Sequence, residues 1–240
     1  MNRNIDRTSK GEILMTMKTF QTKLQFSRRM IAWFALATAA IQSVDGQSAT
    51  HQQPPLMDRE KEILLALSAC PPSVASKAAV YVLDRAGYVK VRASQNGFTA
   101  IVQHAMPTSQ DPQCMDAEGT RTFLPRYLKV AEWRAQGKSA DEITFLVADA
   151  FLKGIFQVAT RPGIDYMLST ENLTPNAKGE VVHFPPHVMF YAPYLTNADL
   201  GLGGSLGPDG NPAGPAFVAG EGTPSALIIV PLAAHSGANH

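Results

Sequence analysis

The spacing of hydrophobic residues predicts three helices. Apolar residues recur with a helical period over 58–69, and Pro71-Pro72 must end this helix. A second helical stripe of apolar residues runs over 123–136. Ser139 and Glu142 form a capping box. The wide apolar stripe behind this box predicts a third helix that is covered on two sides.

A group of short, β-rich segments lies between the first and second helices. Turn-forming residues separate these segments, and Asn96-Gly97 is a strong hairpin signal. Lys and Arg alternate with Val in the middle segment, which predicts one face in water and one on the core. We therefore predict an antiparallel meander with strands at 79–83, 88–92 and 98–102.

The pattern returns to strands in the last third of the chain. Candidate strands lie at 164–168, 180–184 and 187–191, and Pro185-Pro186 must break or bend the chain between the last two. The almost wholly apolar segment 225–230 predicts a central strand that is buried on both faces. This order of elements predicts an α+β fold in which helices pack mainly on one face of a largely antiparallel sheet.

The first 46 residues predict a secretory signal peptide. Seven basic and two acidic residues occupy 1–29, an apolar run of 12 residues follows at 30–41, and Gly46 is a small residue suited to cleavage. The run is shorter than the ~20 residues of a membrane span, so we favour cleavage over a retained anchor. We expect a periplasmic or extracellular protein with a flexible leader (47–57), one domain (58–232) and a flexible tail (233–240).

The charge balance argues against nucleic acid as a partner. The chain has 21 Lys and Arg and 20 Asp and Glu, a formal net charge of +1. Residues 1–46 hold seven of these basic and three of these acidic residues, so the mature chain has a formal net charge of −3. Proteins that hold a phosphate backbone need clustered basic residues. The sequence leaves the identity of a small-molecule or protein partner open.

The sequence contains none of the common catalytic or cofactor motifs. There is no P-loop, dinucleotide fingerprint, HExxH or GxSxG motif, and no particular cofactor is implied. The segment 201–215 is rich in Gly and Pro, lacks periodicity and is predicted to be a loop. The two cysteines, Cys70 and Cys114, form either a disulfide, which export permits, or two buried thiols.

Two histidines, His183 and His187, flank the Pro-Pro break. The prolines exclude a regular helix, and in an extended chain the two Cα atoms would lie ~13 Å apart, too far to share a metal ion. Only a tight bend at the prolines would bring the rings together. We favour histidines that are hydrogen-bonded at the rim of a strand over a metal site.

A second polar group lies in a segment predicted to be a loop after the third strand. His104, Asp116 and Glu118 offer candidate ligands for a divalent cation, and Cys114 is a candidate thiolate nucleophile. The alternative is ordinary turn chemistry. An exposed thiolate would be oxidised outside the cytosol, which favours pairing of Cys114 with Cys70 over a reactive thiol.

The segment 187–197 has the composition of a ligand pocket. Aromatic rings supply apolar area, while hydroxyl, imidazole and amide groups orient a ligand. In a strand, alternate residues share one face, and this face would line a cleft beside the Gly-rich loop. The same residues are also typical of a core at the edge of a sheet. The candidate ligand-binding residues are His187, Met189, Tyr191, Tyr194 and Asn197.

Two functions fit these observations. The first is an exported binding or structural module without chemistry of its own. The alternative is an exported hydrolase-like enzyme, which requires a histidine within hydrogen-bond distance of a carboxylate or cysteine in a concave pocket. A third possibility, an envelope-associated accessory protein, would expose an apolar patch. The candidate catalytic groups are the bases His183 and His187 and the acids Asp116, Glu118 and Glu221.

Overall fold

The computed structural model describes residues 53–176, 178–201 and 214–232. The predicted signal peptide, most of the leader, most of the Gly-rich segment and the C-terminal tail lie outside these ranges. Within them the chain forms five α-helices, a short 3-10 helix (Ala198–Leu200), one large and mostly antiparallel sheet and one small sheet, so the predicted α+β class is confirmed. Among the described residues, no helix has the length and apolar character that a membrane crossing needs.

The elements follow in chain order. The helices are α1 (Arg59–Ser68), α2 (Pro72–Ala75), α3 (Ala117–Thr122), α4 (Leu124–Ala135) and α5 (Ala140–Leu152). The strands are β1 (Ala79–Asp84), β2 (Gly87–Arg92), β3 (Thr99–Gln103), β4 (Asp111–Met115), β5 (Ile164–Met167), β6 (Leu173–Pro175), β7 (Val181–His183), β8 (His187–Tyr191), β9 (Phe217–Ala219) and β10 (Leu227–Pro231). The large sheet has the order β2-β1-β3-β4-β5-β8-β10-β9, and β6 pairs with β7.

Local capping residues start two of the predicted helices, α1 and α5. The side chain of Asp58 accepts hydrogen bonds from the backbone N–H groups of Glu60 and Lys61 at the start of α1. Ser139 and Glu142 cap each other's backbone N–H groups at the start of α5, which confirms the capping box. These contacts satisfy N–H groups that have no partner inside the helix.

The predicted three-strand meander is wrong. β1 and β2 are antiparallel, but β3 pairs in parallel with β1 and makes no pair with β2. Asn96 accepts a hydrogen bond from the Phe98 N–H and donates to the Val74 carbonyl, so it organises a local turn in a crossover. Burial explains the order, because β3 is buried along almost its whole length and takes an inner position, while β2, with Lys90 and Arg92, lies at the edge.

Helices cover both faces of the sheet, so packing mainly on one face is not confirmed. Successive side chains of β3 point to opposite faces. Ile101 packs in a cluster with Phe123 and Tyr127, at the start of α4, whereas Val102 packs in a cluster with Ala66 of α1. Since β3 is buried on both faces, each face needs its own helical cover.

The segment predicted to be a loop after β3 contains a strand and a helix instead. β4 pairs with β3 along its whole length, and Asp116 caps α3 immediately afterwards. The sequence contains no strand signal here, because Pro112 lacks the N–H group that a residue in a central strand donates. On the β5 side of β4, only Cys114 and Met115 are paired with β5. Pro112 therefore lies outside the part of β4 that needs to donate a hydrogen bond to β5.

A disulfide joins Cys70, just after α1, to Cys114 of β4. The two residues are 44 positions apart, and their side chains are 5% and 0% exposed. The sequence has only these two cysteines, so the bond accounts for both. The candidate thiolate at Cys114 is therefore wrong, because a bonded sulfur is not a free nucleophile.

Two apolar segments are less buried than the sequence predicts. β10 lies between β8 and β9 and buries one face, with Leu227 and Ile229 inside and Ile228 only partly covered. α5 buries only Ala150, and its Phe145 is 70% exposed. The helix packs mainly against α4 through one stripe, so nothing among the described residues covers its second apolar side.

Candidate functional site

The predicted ligand-binding face on β8 is part of the core. His187, Met189 and Tyr191 share one face of the strand, as the alternation predicts. All three side chains are buried, with exposed fractions of 2%, 3% and 7%. Met189 and Tyr191 pack in the same cluster as Ile229 of the neighbouring strand. These side chains therefore fill the interior and do not line an open cleft.

Tyr191 is held by two glycines that allow a very close approach. A Cβ atom on Gly119 would lie 1.9 Å from the Tyr191 hydroxyl oxygen, and one on Gly163 would lie 2.6 Å from its ring. The hydroxyl donates to the carbonyl of Ile164, and the ring stacks on Phe123. Burial raises the pKa of this phenol, so it stays protonated. These contacts give Tyr191 a packing role.

The carboxylate of Asp116 serves the backbone. Its two oxygens accept hydrogen bonds from the N–H groups of Gly119 and Ile164, each at 3.0 Å. This arrangement joins the start of α3 to the start of β5. Asp116 is therefore satisfied within the fold.

Glu118 is a buried carboxylate held by two arginines. It forms ion pairs with Arg121 and Arg161 and accepts a hydrogen bond from the Thr160 N–H. The Arg121 contact lowers the pKa of Glu118 to about 2, so the group is ionised at neutral pH. In the described part of the chain, no three His, Cys, Asp or Glu side chains lie close enough together to hold a metal ion.

The three candidate histidines bind backbone carbonyl groups. The Nδ1 atoms of His104, His183 and His187 contact the carbonyl oxygens of Ser109, Thr170 and Pro185, at 2.5, 3.3 and 2.8 Å. Burial lowers the pKa of His187 to about 4 and also lowers that of His104. Within the described ranges, none of these rings makes a hydrogen bond to a carboxylate. Among the described residues, the structure thus brings none of these three histidines to an acid in the way that a hydrolase would need.

The Pro-Pro break places His183 and His187 in different sheets. His183 ends β7 of the small sheet and is exposed, whereas His187 begins β8 of the large sheet and is buried. The break predicted at Pro185-Pro186 is confirmed. The chain therefore passes from the small sheet to the large sheet at the two prolines. Among the described residues, the two histidines do not belong to a group that could hold a metal ion.

The remaining candidates lie in the loops at one end of β8 and β9. Asn197 donates from its side chain to the Glu221 carboxylate and to the Val218 carbonyl. The Glu221 carboxylate also accepts the Asn197 backbone N–H at 2.9 Å. Tyr194 is 58% exposed and has a positive φ of 65°. Asn197 and Glu221 bind each other and brace the loops, whereas the exposed Tyr194 is held by neither of them.

A cavity of 680 Å³ lies elsewhere, between α4, α5 and the ends of β1 to β3. Of the residues singled out from the sequence as site candidates, only His104 lines it. One sequence pattern, a stripe on α4, could have indicated this cavity. Arg126, Val130 and Arg134 are spaced four residues apart on α4 and therefore share one face of the helix. This stripe has the apolar spacing of a core helix, but both of its ends are cationic.

The walls of the cavity are largely apolar. Tyr88 and Tyr127 provide aromatic surface, and Val130, Ile143 and Val147 provide aliphatic surface from the two facing helices. The Tyr88 hydroxyl donates to the Val102 carbonyl and is thus already satisfied. These groups offer a ligand contact area with little competing polarity.

Arg134 is the most constrained cation of the cavity. It is half-buried, and its two terminal nitrogens donate to the carbonyls of His104 and Ala105 at 2.6 and 2.8 Å. No carboxylate of the described residues lies within 4.0 Å of it, and burial lowers its pKa. Asp111 attracts it from a greater distance. The guanidinium is therefore fixed in orientation but lacks an ion-pair partner among these residues.

The other charged groups of the cavity are occupied or lie at its rim. Arg126 donates to the Ser225 hydroxyl and lies over the rings of Phe123 and Tyr127, about 5 Å from each centre. Lys138 pairs with Glu142 of α5. The two carboxylates that line the cavity, those of Asp84 and Asp141, belong to exposed residues. Burial thus separates an inner cationic region from an acidic rim.

Comparison with known proteins assigns no function to this chain. No family model matches it, and no match was found among curated proteins or solved structures. The chemistry of the cavity between α4 and α5 is the remaining basis for a functional proposal.

Proposed function

We propose that the mature chain is an exported binding module whose ligand site is the cavity between α4 and α5. One observation carries the proposal: a cavity of 680 Å³ combines aromatic and aliphatic walls with two half-buried guanidinium groups. Its volume falls within the range of about 300–1,000 Å³ that is usual for small-molecule sites. Polar groups set in largely apolar walls are the arrangement that orients a small ligand.

The alternative of a hydrolase-like enzyme has less support. The three histidines contact backbone carbonyls, and the disulfide occupies both cysteines. Asp116 and Glu118 are bound to backbone and arginine groups. A binding module needs none of these groups to react.

Export is the second part of the proposal. The basic, apolar and small-residue order of residues 1–46 is typical of a signal peptide. The buried Cys70–Cys114 disulfide supports an oxidising compartment, because such bonds are rare in cytosolic proteins. The formal net charge of −3 after cleavage supports a partner other than nucleic acid.

We expect the secreted or periplasmic product to begin near Gln47. Leu36→Arg places a charge in the apolar run and should leave an uncleaved precursor, since that run is what the export machinery recognises. Intact-mass measurement of the protein from fractionated cells tests both expectations, with Leu36→Val as the control that keeps the run apolar. An intact N-terminus on a cytosolic wild-type product would show that export is wrong.

We expect Val147→Gln to weaken binding of the neutral dye N-phenylnaphthylamine about tenfold. Val147 lines the cavity, and loss of one buried aliphatic contact costs about 1.5 kcal/mol. The matched control is Phe145→Gln on the same helix, because Phe145 is exposed and does not line the cavity. Fluorescence titration of the mature chain and both variants measures the dissociation constants.

The comparison of these two variants also identifies a wrong site. A dye that binds the outer apolar side of α5 would be weakened by Phe145→Gln and unaffected by Val147→Gln. That result would contradict the cavity and support the exposed side of α5 as the binding surface.

A further inference from the structure

We propose that the cavity binds an amphipathic organic acid, with the carboxylate on Arg134 and the apolar part along α5. This inference rests on the binding function proposed above. It names the chemical class of the ligand, which the shape of the cavity alone does not provide.

The first step is the number of donors that Arg134 still offers. A guanidinium carries five N–H groups in a planar fork. The contacts to the carbonyls of His104 and Ala105 use two of these groups and hold the side chain in one orientation. Three N–H groups remain on a side chain that lines the cavity. A carboxylate is the acceptor that this fork fits best, with two parallel hydrogen bonds.

The second step is the charge around Arg134. Taking a cation partly out of water is unfavourable unless an anion or several hydrogen bonds compensate. In the described residues the nearest ion-pair candidates lie beyond 4.0 Å, and Asp111 acts only from a distance. Asp111 is itself held by the Ser109 hydroxyl and the Ala105 N–H. An anionic ligand would therefore supply the partner that the fold does not.

The third step favours one negative charge over several. Lys138 is paired with Glu142, and Arg126 is engaged with the Ser225 hydroxyl and two aromatic rings. Arg126 lies eight residues before Arg134, about 12 Å away along the helix axis. A compact dianion or a phosphate chain would thus find only one available guanidinium. The exposed Asp84 and Asp141 at the rim would repel a second charge near the entrance.

The fourth step places the apolar part of the ligand. From Arg134, the lining continues along Val130 on α4 and along Ile143 and Val147 on α5. Each methylene group removed from water on such a surface contributes about 0.8 kcal/mol. A medium-length alkyl chain or an aromatic ring fits this requirement, whereas a fully polar acid would leave the walls unused.

The test compares octanoate with octanamide as competitors of N-phenylnaphthylamine on the mature chain at pH 7.5. The two competitors have nearly the same shape and differ in charge. We expect octanoate to displace the dye at a concentration at least about tenfold lower than octanamide does, because charge-assisted hydrogen bonds are roughly twice as strong as neutral ones. The advantage should shrink at high salt.

Variants of α4 locate the charge that is responsible. Arg134→Gln should remove the advantage of octanoate over octanamide, and circular dichroism of the variant checks that it is folded. Arg126→Gln should reduce the advantage only in part. The matched control is Lys129→Gln on the same helix, because Lys129 is exposed, pairs with Glu132 and does not line the cavity.

The outcomes separate this inference from the proposed function. Equal displacement by octanoate and octanamide in the wild-type protein would show that the proposed ligand class is wrong, and it would not contradict the binding function of the cavity. An octanoate advantage that survives Arg134→Gln would overturn the assigned residue. A dye that neither competitor displaces, and that Val147→Gln does not weaken, would overturn the cavity itself. The wild-type comparison needs no variant, so a misfolded Arg134→Gln cannot leave the inference untested.

Discussion

Replacing both cysteines, as Cys70→Ala with Cys114→Ala, should lower the free energy of unfolding by about 4 kcal/mol. The bond closes a separation of 44 residues, and this size sets the chain entropy that the crosslink removes from the unfolded state. It also ties the end of α1 to β4, an inner strand of the large sheet. Urea unfolding of the mature chain measures the difference.

The reduced wild-type protein is the matched control for this prediction. It loses the same crosslink without any change of sequence, so its unfolding midpoint should lie close to that of the double variant. Alanine at both positions avoids placing a new hydroxyl in a site that is 0% or 5% exposed. A loss below about 1 kcal/mol would contradict the prediction, because the closed loop would then contribute almost nothing.

The second large effect concerns Asp165, a buried acid on β5. Its side chain is 0% exposed, and one carboxyl oxygen accepts a hydrogen bond from the Cys114 N–H at 3.1 Å. The other oxygen has no hydrogen-bond partner among the described residues. Burial raises the pKa of Asp165 well above its usual value, and the nearby charge of Asp116 acts in the same direction.

Asp165→Asn should therefore make the protein less sensitive to pH. Below about pH 4 the wild-type carboxyl is neutral in the folded and unfolded states, so its full contribution to stability is present. As the pH rises, the unfolded chain releases this proton first, and stability falls by about 1.4 kcal/mol per pH unit until the folded pKa is passed. The asparagine side chain does not titrate, so the variant does not lose stability from this position as the pH rises.

Urea unfolding of both proteins between pH 4.5 and 8 tests this expectation. The free energy of unfolding of the variant, relative to that of the wild type, should increase with each step in pH. A constant destabilisation by the new amide would not change this trend. Burial also raises the pKa of Glu62 to about 7 and that of Asp111 to about 6, but both proteins share these groups, so the difference reports Asp165. Glu171→Gln, at an exposed position, serves as the control. A gap that stays constant with pH would contradict the buried, protonated acid.

The candidate site shows how far sequence reasoning reaches. The segment 187–197 has aromatic rings and polar groups, and its pattern indicates the candidate ligand site, with a core at the edge of a sheet as the alternative. The structure buries its strand part, because β8 lies between β5 and β10 with Tyr191 pressed against Gly119 and Gly163. Those glycines belong to distant segments, so no local pattern could show the contact.

The cavity residues were visible in the sequence only as parts of separate elements. Arg126 and Arg134 look like ordinary polar neighbours of a core stripe on one helix. Their significance depends on α5, on the end of β3 and on the absence of a carboxylate within 4.0 Å in the described part of the chain. Each of these is a relation between separate elements in three dimensions, which the pattern of one helix does not show.

By itself, the sequence determined where several of the elements begin and end. The caps at Asp58 and Ser139, the alternation in β8 and the Pro-Pro break act within a few residues, and short-range hydrogen bonds and backbone sterics decide them. Only the tertiary structure decided the strand order, the helices on both faces, the pairing of Cys70 with Cys114 and the cavity. These features follow from the burial of apolar surface between distant segments, which depends on the whole chain at once.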